Sequence, residues 1–506
     1  MKTTLVAGLA LALSASAVFA QDALPQAQTK WFTDAEAKLQ EMIARQPNTN
    51  RARNVILFTA DGNGVGTNYA IRLFSGQQAG GLGDDYVQPH EAFPYAALVK
   101  TYSSNGQTPD SAPTAAAMNS GIKTKNGMIN ILDTVAAGDC AAGATAGTRT
   151  FAEIASEMGK SVGVLSTARI THATPAAVYA RTVSRDWEDN TGIPEGCAQK
   201  DIADQLIEQM KAGVIDLAMG GGRAHFLPKD VTDAEGKTGK RTDGRNLVEE
   251  AKAIGAQVVF GDQDFAALTM GNNAPVLGLF EASHMKYEAD RTGEPSLAEM
   301  TEAAIKALST NENGFYLSIE GGRVDHANHD GNLYRVVTDG KAFADAIAKA
   351  VELTNGEDTL IIVTADHEHA IAFNGYCGRG SDVLGLCMKE NEAGVEHSGE
   401  PNLAADGKPY TVAGYLNGAG SVLVKQADGS YSGARAELTE DMAIDKDYLQ
   451  QALIPMSSET HSGEDVMVHA KGPWSHLFDG VLEQNYIFHV MNYAVTAGEM
   501  KKASAQ

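Results

Sequence analysis

The stretch Asn54-Val-Ile-Leu-Phe-Thr-Ala-Asp-Gly62 decides the fold. Its apolar run is nearly unbroken and stops at a carboxylate. A strand with one wet face would alternate polar and apolar residues, so this run reads as a strand buried on both faces. Four more runs share the pattern. Residues 161–165 lead into Ser166-Thr167, and residues 214–219 into Gly220-Gly-Gly-Arg223. Residues 314–319 lead into Glu320, and residues 359–364 lead toward Asp366-His367. Between them lie helical periodicities, over Leu297–Leu308 and over residues 341–353. Strands alternating with helices predict an α/β fold, a doubly wound and mostly parallel central sheet with helices on both faces. Ligands of such sheets bind beyond the carboxyl ends of the strands. Asp61, the 171–175 loop, Glu320 and Asp366-His367 are therefore expected in one crevice. Residues 371–457, rich in Gly, Asp, Ala and Ser, read as an insertion over that crevice.

The chain has 506 residues, 43% of them hydrophobic, and a formal net charge of -24. That charge argues against nucleic acid as a partner, because phosphate backbones are held by Lys/Arg-rich surfaces. Residues 1–20 read as a signal peptide. Lys2 precedes a short apolar run over residues 5–13, and Val18-Phe19-Ala20 makes a cleavage site. Residues 21–506 are then the mature chain, with no membrane span and no membrane anchor expected, in the periplasm or secreted. The four cysteines, Cys140, Cys197, Cys377 and Cys387, suggest two disulfides in such a compartment. Three pairings exist, and closeness in sequence favours Cys377 with Cys387 and Cys140 with Cys197.

Asp325 and His329 stand four apart, so one helical turn would place both on one face. With His461 they are read as the ligands of one zinc ion. Asp61, Asp366 and His367 are read as the ligands of a second. Glu320 and the Thr174 hydroxyl are hard oxygen donors suited to magnesium, with Asp61 bridging. A lone D-x-x-x-H signals little; convergence at strand ends is what carries the reading. Ser111, in Thr108-Pro-Asp-Ser-Ala-Pro-Thr-Ala-Ala-Ala-Met118, begins a helix-forming run. There it is either a plain N-cap or a nucleophile activated by a metal. Arg185 is the candidate clamp for two phosphate oxygens.

Taken in order, N-V-I-L-F-T-A-D-G, P-D-S-A-P-T-A-A-A, T-H-A-T-P-A, V-S-R-D-W, I-E-G-G-R-V-D-H-A-N-H, V-T-A-D-H-E-H and E-T-H-S-G-E-D-V are highly specific. The chain resembles the alkaline phosphatases from about Asn54 to Ala494. The resemblance implies hydrolysis of phosphate monoesters at alkaline pH through a phosphoserine on Ser111, with two zinc ions and one magnesium. It implies that His172 and His326 lie near the metals as in the animal branch. It also implies a calcium site at Glu235, Phe280, Glu281 and Glu294, a crown-like insertion at 371–457, and a homodimer. Pro113 and Asn63 depart from the commonest family residues. A phosphodiesterase or sulfatase of the same architecture is an alternative, as is a non-catalytic phosphate- or metal-binding protein. No cysteine stands near Ser111 for the sulfatase chemistry.

Overall fold

A computed structural model describes residues 24–269 and 274–496. The expected signal segment, residues 1–20, lies outside the described residues. Contacts divide the chain after Pro47. In the first unit, α1 (Lys30–Ala44) starts at Thr29, whose side chain accepts from the Phe32 amide, and buries no residue.

The second unit is built on a ten-stranded sheet. In chain order its first eight strands are β1 (Asn54–Ala60), β2 (Tyr95–Lys100), β3 (Ser161–Arg169), β4 (Leu217–Gly221), β5 (Gln257–Val259), β6 (Val276–Leu279), β7 (Phe315–Gly321) and β8 (Thr359–Ala365). Two later strands, Val466–Lys471 and Val481–Glu483, complete it. Across the sheet the order is Val481–Glu483, β2, Val466–Lys471, β8, β1, β7, β3, β4, β6, β5. The pairings from β8 to β5 are all parallel, and only Val466–Lys471 runs against its neighbours.

Both faces of the sheet are buried, as the unbroken apolar runs predict. Val55 and Leu57 of β1 enter one core; Ile56, Phe58 and Ala60 enter the other. Helix α2 (Val65–Gln78) follows β1, and helix α3 (Ser111–Ser120) and the helix Ile202–Lys211 cover the first core. The helices Leu297–Leu308 and Leu333–Leu353 cover the second. Phe343 meets Phe58 edge to face, 5.7 Å between centroids. Truncating a buried phenylalanine of this kind to alanine costs about 3–5 kcal/mol.

Several element boundaries differ from the sequence reading, each for a local reason. Strand β7 extends through Glu320 and Gly321 because they pair with Thr59 and Ala60 of β1. Strand β3 continues past Leu165 through a register shift to Arg169. The helix expected over 341–353 begins at Leu333, where the Asn332 side chain caps the Arg335 amide. The expected 171–175 loop turns into a one-turn helix, Ala173–Ala176.

Residues 371–457 add nothing to the central sheet. Strands Ile371–Phe373, Ala413–Gly418 and Ala452–Pro455 form a sheet of their own, and Val424–Lys425 pairs with Tyr431–Ser432. The cysteines pair as their sequence closeness favoured, Cys140 with Cys197 and Cys377 with Cys387. No helix among the described residues is long and apolar enough to cross a membrane.

Candidate active site

Strand register places the reactive side chains. Thr59 of β1 lies level with Glu320 on one side and Thr364 on the other, and Ser166 of β3 lies level with Glu320. Asp61 and Asp366, the next residues after β1 and β8, therefore leave the sheet together. The Gly62 and His367 amides each donate to Asp366 Oδ1 at 3.0 Å. Gly62 has φ 68°, and a Cβ there would strike the His369 ring, so only glycine makes this turn. His367 Nε2 lies 3.2 Å from Asp61 Oδ1 and 3.3 Å from Asp366 Oδ2. The ligand atoms of Asp61, Asp366 and His367 all fall within 4.8 Å of one another, close enough to share one ion.

A second group sits beside it. The helix Arg323–His329 carries Asp325 and His329 on one face, as their spacing predicts. His461 arrives on a short strand whose residues pair with Glu368 and His369. Asp325 Oδ1 is 3.3 Å from Nε2 of both His329 and His461. His329 Nδ1 is 2.7 Å from the Glu459 carbonyl, and His461 Nδ1 is 2.9 Å from the Pro109 carbonyl. A carbonyl only accepts, so both rings carry their proton on Nδ1. Their Nε2 lone pairs then face each other at 3.0 Å. Two facing lone pairs beside a carboxylate suit a cation, so these residues fit a metal ion.

His369 belongs to this group and was missed in the sequence. Its Nε2 is 2.9 Å from Asp325 Oδ1 and its Nδ1 is 2.5 Å from Glu459 Oε2. The signal was present in Asp366-His-Glu-His369, since residues two apart on an extended chain share a face.

Asp61, His172 and Glu320 make a third group within the same 4.8 Å limit. Thr174 Oγ1 donates to Asp61 Oδ2 at 3.4 Å, and Ser166 donates to Glu320 Oε2. Glu320 Oε1 is buried with no partner among the described residues, so this carboxylate has an acceptor free for an ion. His172 stands directly in this group rather than behind it.

Charge in the crevice is unbalanced in one sense. Burial, then the Asp325 charge, lifts Asp61 to about 6; burial, then Asp61, lifts Asp366 to about 7. Glu320 is pushed well up by burial and by Asp61. Burial holds His367 down to about 3, so its imidazole is neutral and able to ligate. Asp325 alone is held well below its usual range: burial opposes this, but His329, His369 and His461 outweigh it. Carboxylates crowded this closely call for cations.

Ser111 is the first residue of α3, after Asp110, whose side chain caps the Ala112 amide at 2.8 Å. The alternative reading of Ser111 as the cap is thereby removed. Its Oγ lies 3.3 Å from Asp61 Oδ1 and 3.4 Å from His367 Nε2. Thr114, one turn on, reaches Asp366 Oδ2 at 3.3 Å. Arg185 Nη1 pairs with Asp110 Oδ1 at 3.2 Å, and its Nη2 lies 3.0 Å from His172 Nε2. The guanidinium thus lies against Asp110, the residue before the serine, and His172. The His326 and His284 rings lie 4.0 Å apart, tilted at 56°, beside His172, and His284 had not been singled out.

Glu235, Glu281 and Glu294 do not gather into one ion-sized group among the described residues. Arg223 holds Glu235 at 2.5 Å and donates to the Phe280 carbonyl at 3.3 Å. Lys286 holds Glu281 at 3.0 Å. Glu294 Oε1 takes the Lys286 amide at 2.7 Å, its Oε2 is buried without a partner among the described residues, and burial lifts the group to about 7.

Three adjoining groups of side chains able to hold metal ions around a helix-terminal serine, at the carboxyl ends of a mostly parallel sheet, define a metal-dependent hydrolase on an α/β fold. The family model for alkaline phosphatase matches residues 52–497. The alkaline phosphatase of Gadus morhua is 40% identical over 93% of this chain and 97% of its own length. The tissue-nonspecific isozyme of Felis catus is 39% identical over 92% and 88%. The alkaline phosphatase of Thermus thermophilus superposes with a TM-score of 0.62 at 21% identity, over 90% of this chain and 94% of that one. The enzyme of the Antarctic bacterium TAB5 superposes at 0.60 and 23%, over 88% and 99%. The chain belongs to the alkaline phosphatase family. It is a metal-dependent hydrolase of phosphate monoesters.

Proposed function

We propose that Ser111 is the nucleophile of this phosphatase and Arg185 its phosphate clamp. The observation that carries the reading is the position of Ser111 Oγ, between Asp61 and His367 at the head of α3. The two terminal nitrogens of Arg185 bind the phosphoryl oxygens. Asp110 holds the guanidinium in place. Ser111 Oγ attacks phosphorus in line, the bond from phosphorus to the ester oxygen breaks, and the alcohol leaves with a proton. Water then attacks the phosphoserine, the bond from phosphorus to Ser111 Oγ breaks, and inorganic phosphate leaves.

Zinc would be held by Asp325, His329 and His461, and a second zinc by Asp61, Asp366 and His367. Magnesium would be held by Asp61, Thr174 and Glu320, with His172 beside it. Bound there, such ions supply positive charge that lowers the pKa of the serine hydroxyl and of water and offsets the developing negative charge. A variant of the TAB5 enzyme, 22% identical, is described with Mg bound in its M3 site. A calcium ion at Glu235, Phe280, Glu281 and Glu294 would have to displace the Arg223 and Lys286 contacts.

We further propose a homodimer that uses the crown-like region 371–457. Leu403, Leu416, Val424, Leu453, Ile454 and Met456 are exposed there, more apolar surface than a loop-rich insertion needs for itself. The disulfides support export to an oxidising compartment.

The test is direct. With a radiolabelled nitrophenyl phosphate at low pH, the native protein should trap label on Ser111, and Ser111→Ala should bind phosphate without label. Label retained by the variant would overturn the assignment. Metal analysis of the native protein tests the ion set.

A further inference from the structure

We propose that a small cavity behind the sheet, walled by His90, His469 and Met467, binds a soft monovalent metal ion, copper(I). His469 stands on the strand Val466–Lys471, level with Val363 of β8 and Ala96 of β2. Met467, two residues earlier, shares its face of the strand. His90 reaches the same place from the segment before β2, and its ring lies 5.0 Å from that of His469. The rings of His329 and His461, which face one another in the candidate zinc group, are 4.8 Å apart. The spacing therefore suits two imidazoles on one ion.

The hydrogen bonds fix which nitrogen is free. Asn68 Nδ2 donates to Glu91 Oε1 at 3.0 Å, and Gln88 Nε2 donates to Asn68 Oδ1 at 3.0 Å. Asn68 Oδ1 is thus the acceptor that faces His90 Nε2 at 3.0 Å, so that nitrogen carries the ring proton. His90 Nδ1 is left as a lone pair, buried and without a partner among the described residues. His90 is 4% exposed and His469 8%. Asn63 Oδ1 on the same cavity wall is a second buried acceptor without a donor among the described residues. Burial keeps both imidazoles neutral, His90 down to about 3 and His469 to about 4. Free lone pairs that no proton occupies are what a metal ion takes.

The cavity, also lined by Asn68 and Thr364, has about 20 Å³ of room, enough for one water-sized occupant. The ligand set selects the ion. Imidazole with a thioether favours copper(I) over harder ions. No carboxylate lines the cavity, and Glu91, on Arg72 at 3.2 Å, offsets that cation instead. The cost of burying an ion rises with the square of its charge, so a monovalent ion suits these walls better than zinc(II).

The test uses the zinc- and magnesium-loaded protein, titrated anaerobically with copper(I) against a chromophoric copper(I) chelator, then with silver(I). The native chain should retain one ion, and His469→Phe and Met467→Leu should each weaken retention by at least tenfold with kcat/KM unchanged. No retention by the native chain, or equal retention by folded variants, would overturn the proposal. Selective retention of added zinc(II) would overturn it too. Should the variants fail to fold, X-ray absorption of the copper-loaded native chain decides. Two nitrogen scatterers with one sulfur support the site, and a shell without sulfur refutes it.

Discussion

Replacing His369 by alanine asks whether this ring acts through Asp325 or binds metal itself. The ring is buried and makes two contacts with acids, 2.9 Å to Asp325 Oδ1 and 2.5 Å to Glu459 Oε2. Burial opposes its protonation, but Glu459 and Asp325 outweigh that and lift it to about 10. Removing it frees Asp325 to turn away from His329 and His461. Partners that orient a metal ligand are worth about 10–100-fold in metal affinity, or about 1.4–2.7 kcal/mol. It also strands the buried Glu459 carboxylate, whose Oε1 keeps only the Ala370 amide at 2.6 Å. Truncating one partner of a buried ion pair costs about 3–5 kcal/mol of stability. The two effects can be separated. Zinc affinity is read by competition with a chromophoric chelator, and stability by urea unfolding of metal-stripped protein. His369→Ala should weaken one zinc equivalent about 10–100-fold at unchanged capacity. Adding Glu459→Gln should restore stability in part and zinc affinity not at all. Unchanged zinc affinity would refute the relay, and loss of a whole zinc equivalent would make His369 a ligand.

Three further outcomes are expected. Metal-stripped protein should lose stability as pH rises from about 4 to about 7. Asp61 and Asp366 are raised from 3.8 to about 6 and about 7, so the folded state binds more protons than the unfolded one in that window. Metal-loaded protein should lack this loss, and urea midpoints across pH, with and without chelator, would show whether it does. Arg185→Ala should weaken inhibition by inorganic phosphate about 10–100-fold, the worth of charge-assisted hydrogen bonds, and an unchanged inhibition constant would remove the clamp. Replacing Cys140 and Cys197 by serine should destabilise the fold more than replacing Cys377 and Cys387. Their separations of 57 and 10 residues correspond to about 4 and about 3 kcal/mol of loop entropy. Equal losses in calorimetry would contradict that ordering.

The sequence by itself determined the sheet. Runs such as residues 54–60 and 359–365 are apolar at all but two positions each and do not alternate, and only a strand covered on both faces can satisfy that. It also determined most of the site, because Asp61, Glu320 and Asp366 each fall at the point where an apolar run ends, and register then makes neighbours of strand ends. Asp325 and His329 were legible from helical spacing alone. Tertiary structure decided what spacing cannot encode. That His369 faces Asp325 depends on the bridge between Glu368–His369 and His461–Ser462, about ninety residues apart in sequence. That Asp110, not Ser111, caps α3 leaves the serine hydroxyl free for chemistry. The pairing of His90 with His469 crosses an antiparallel strand return that no local pattern announces. Local periodicity reports which face of an element is buried; which distant side chains share that burial is set only when the sheet closes its register.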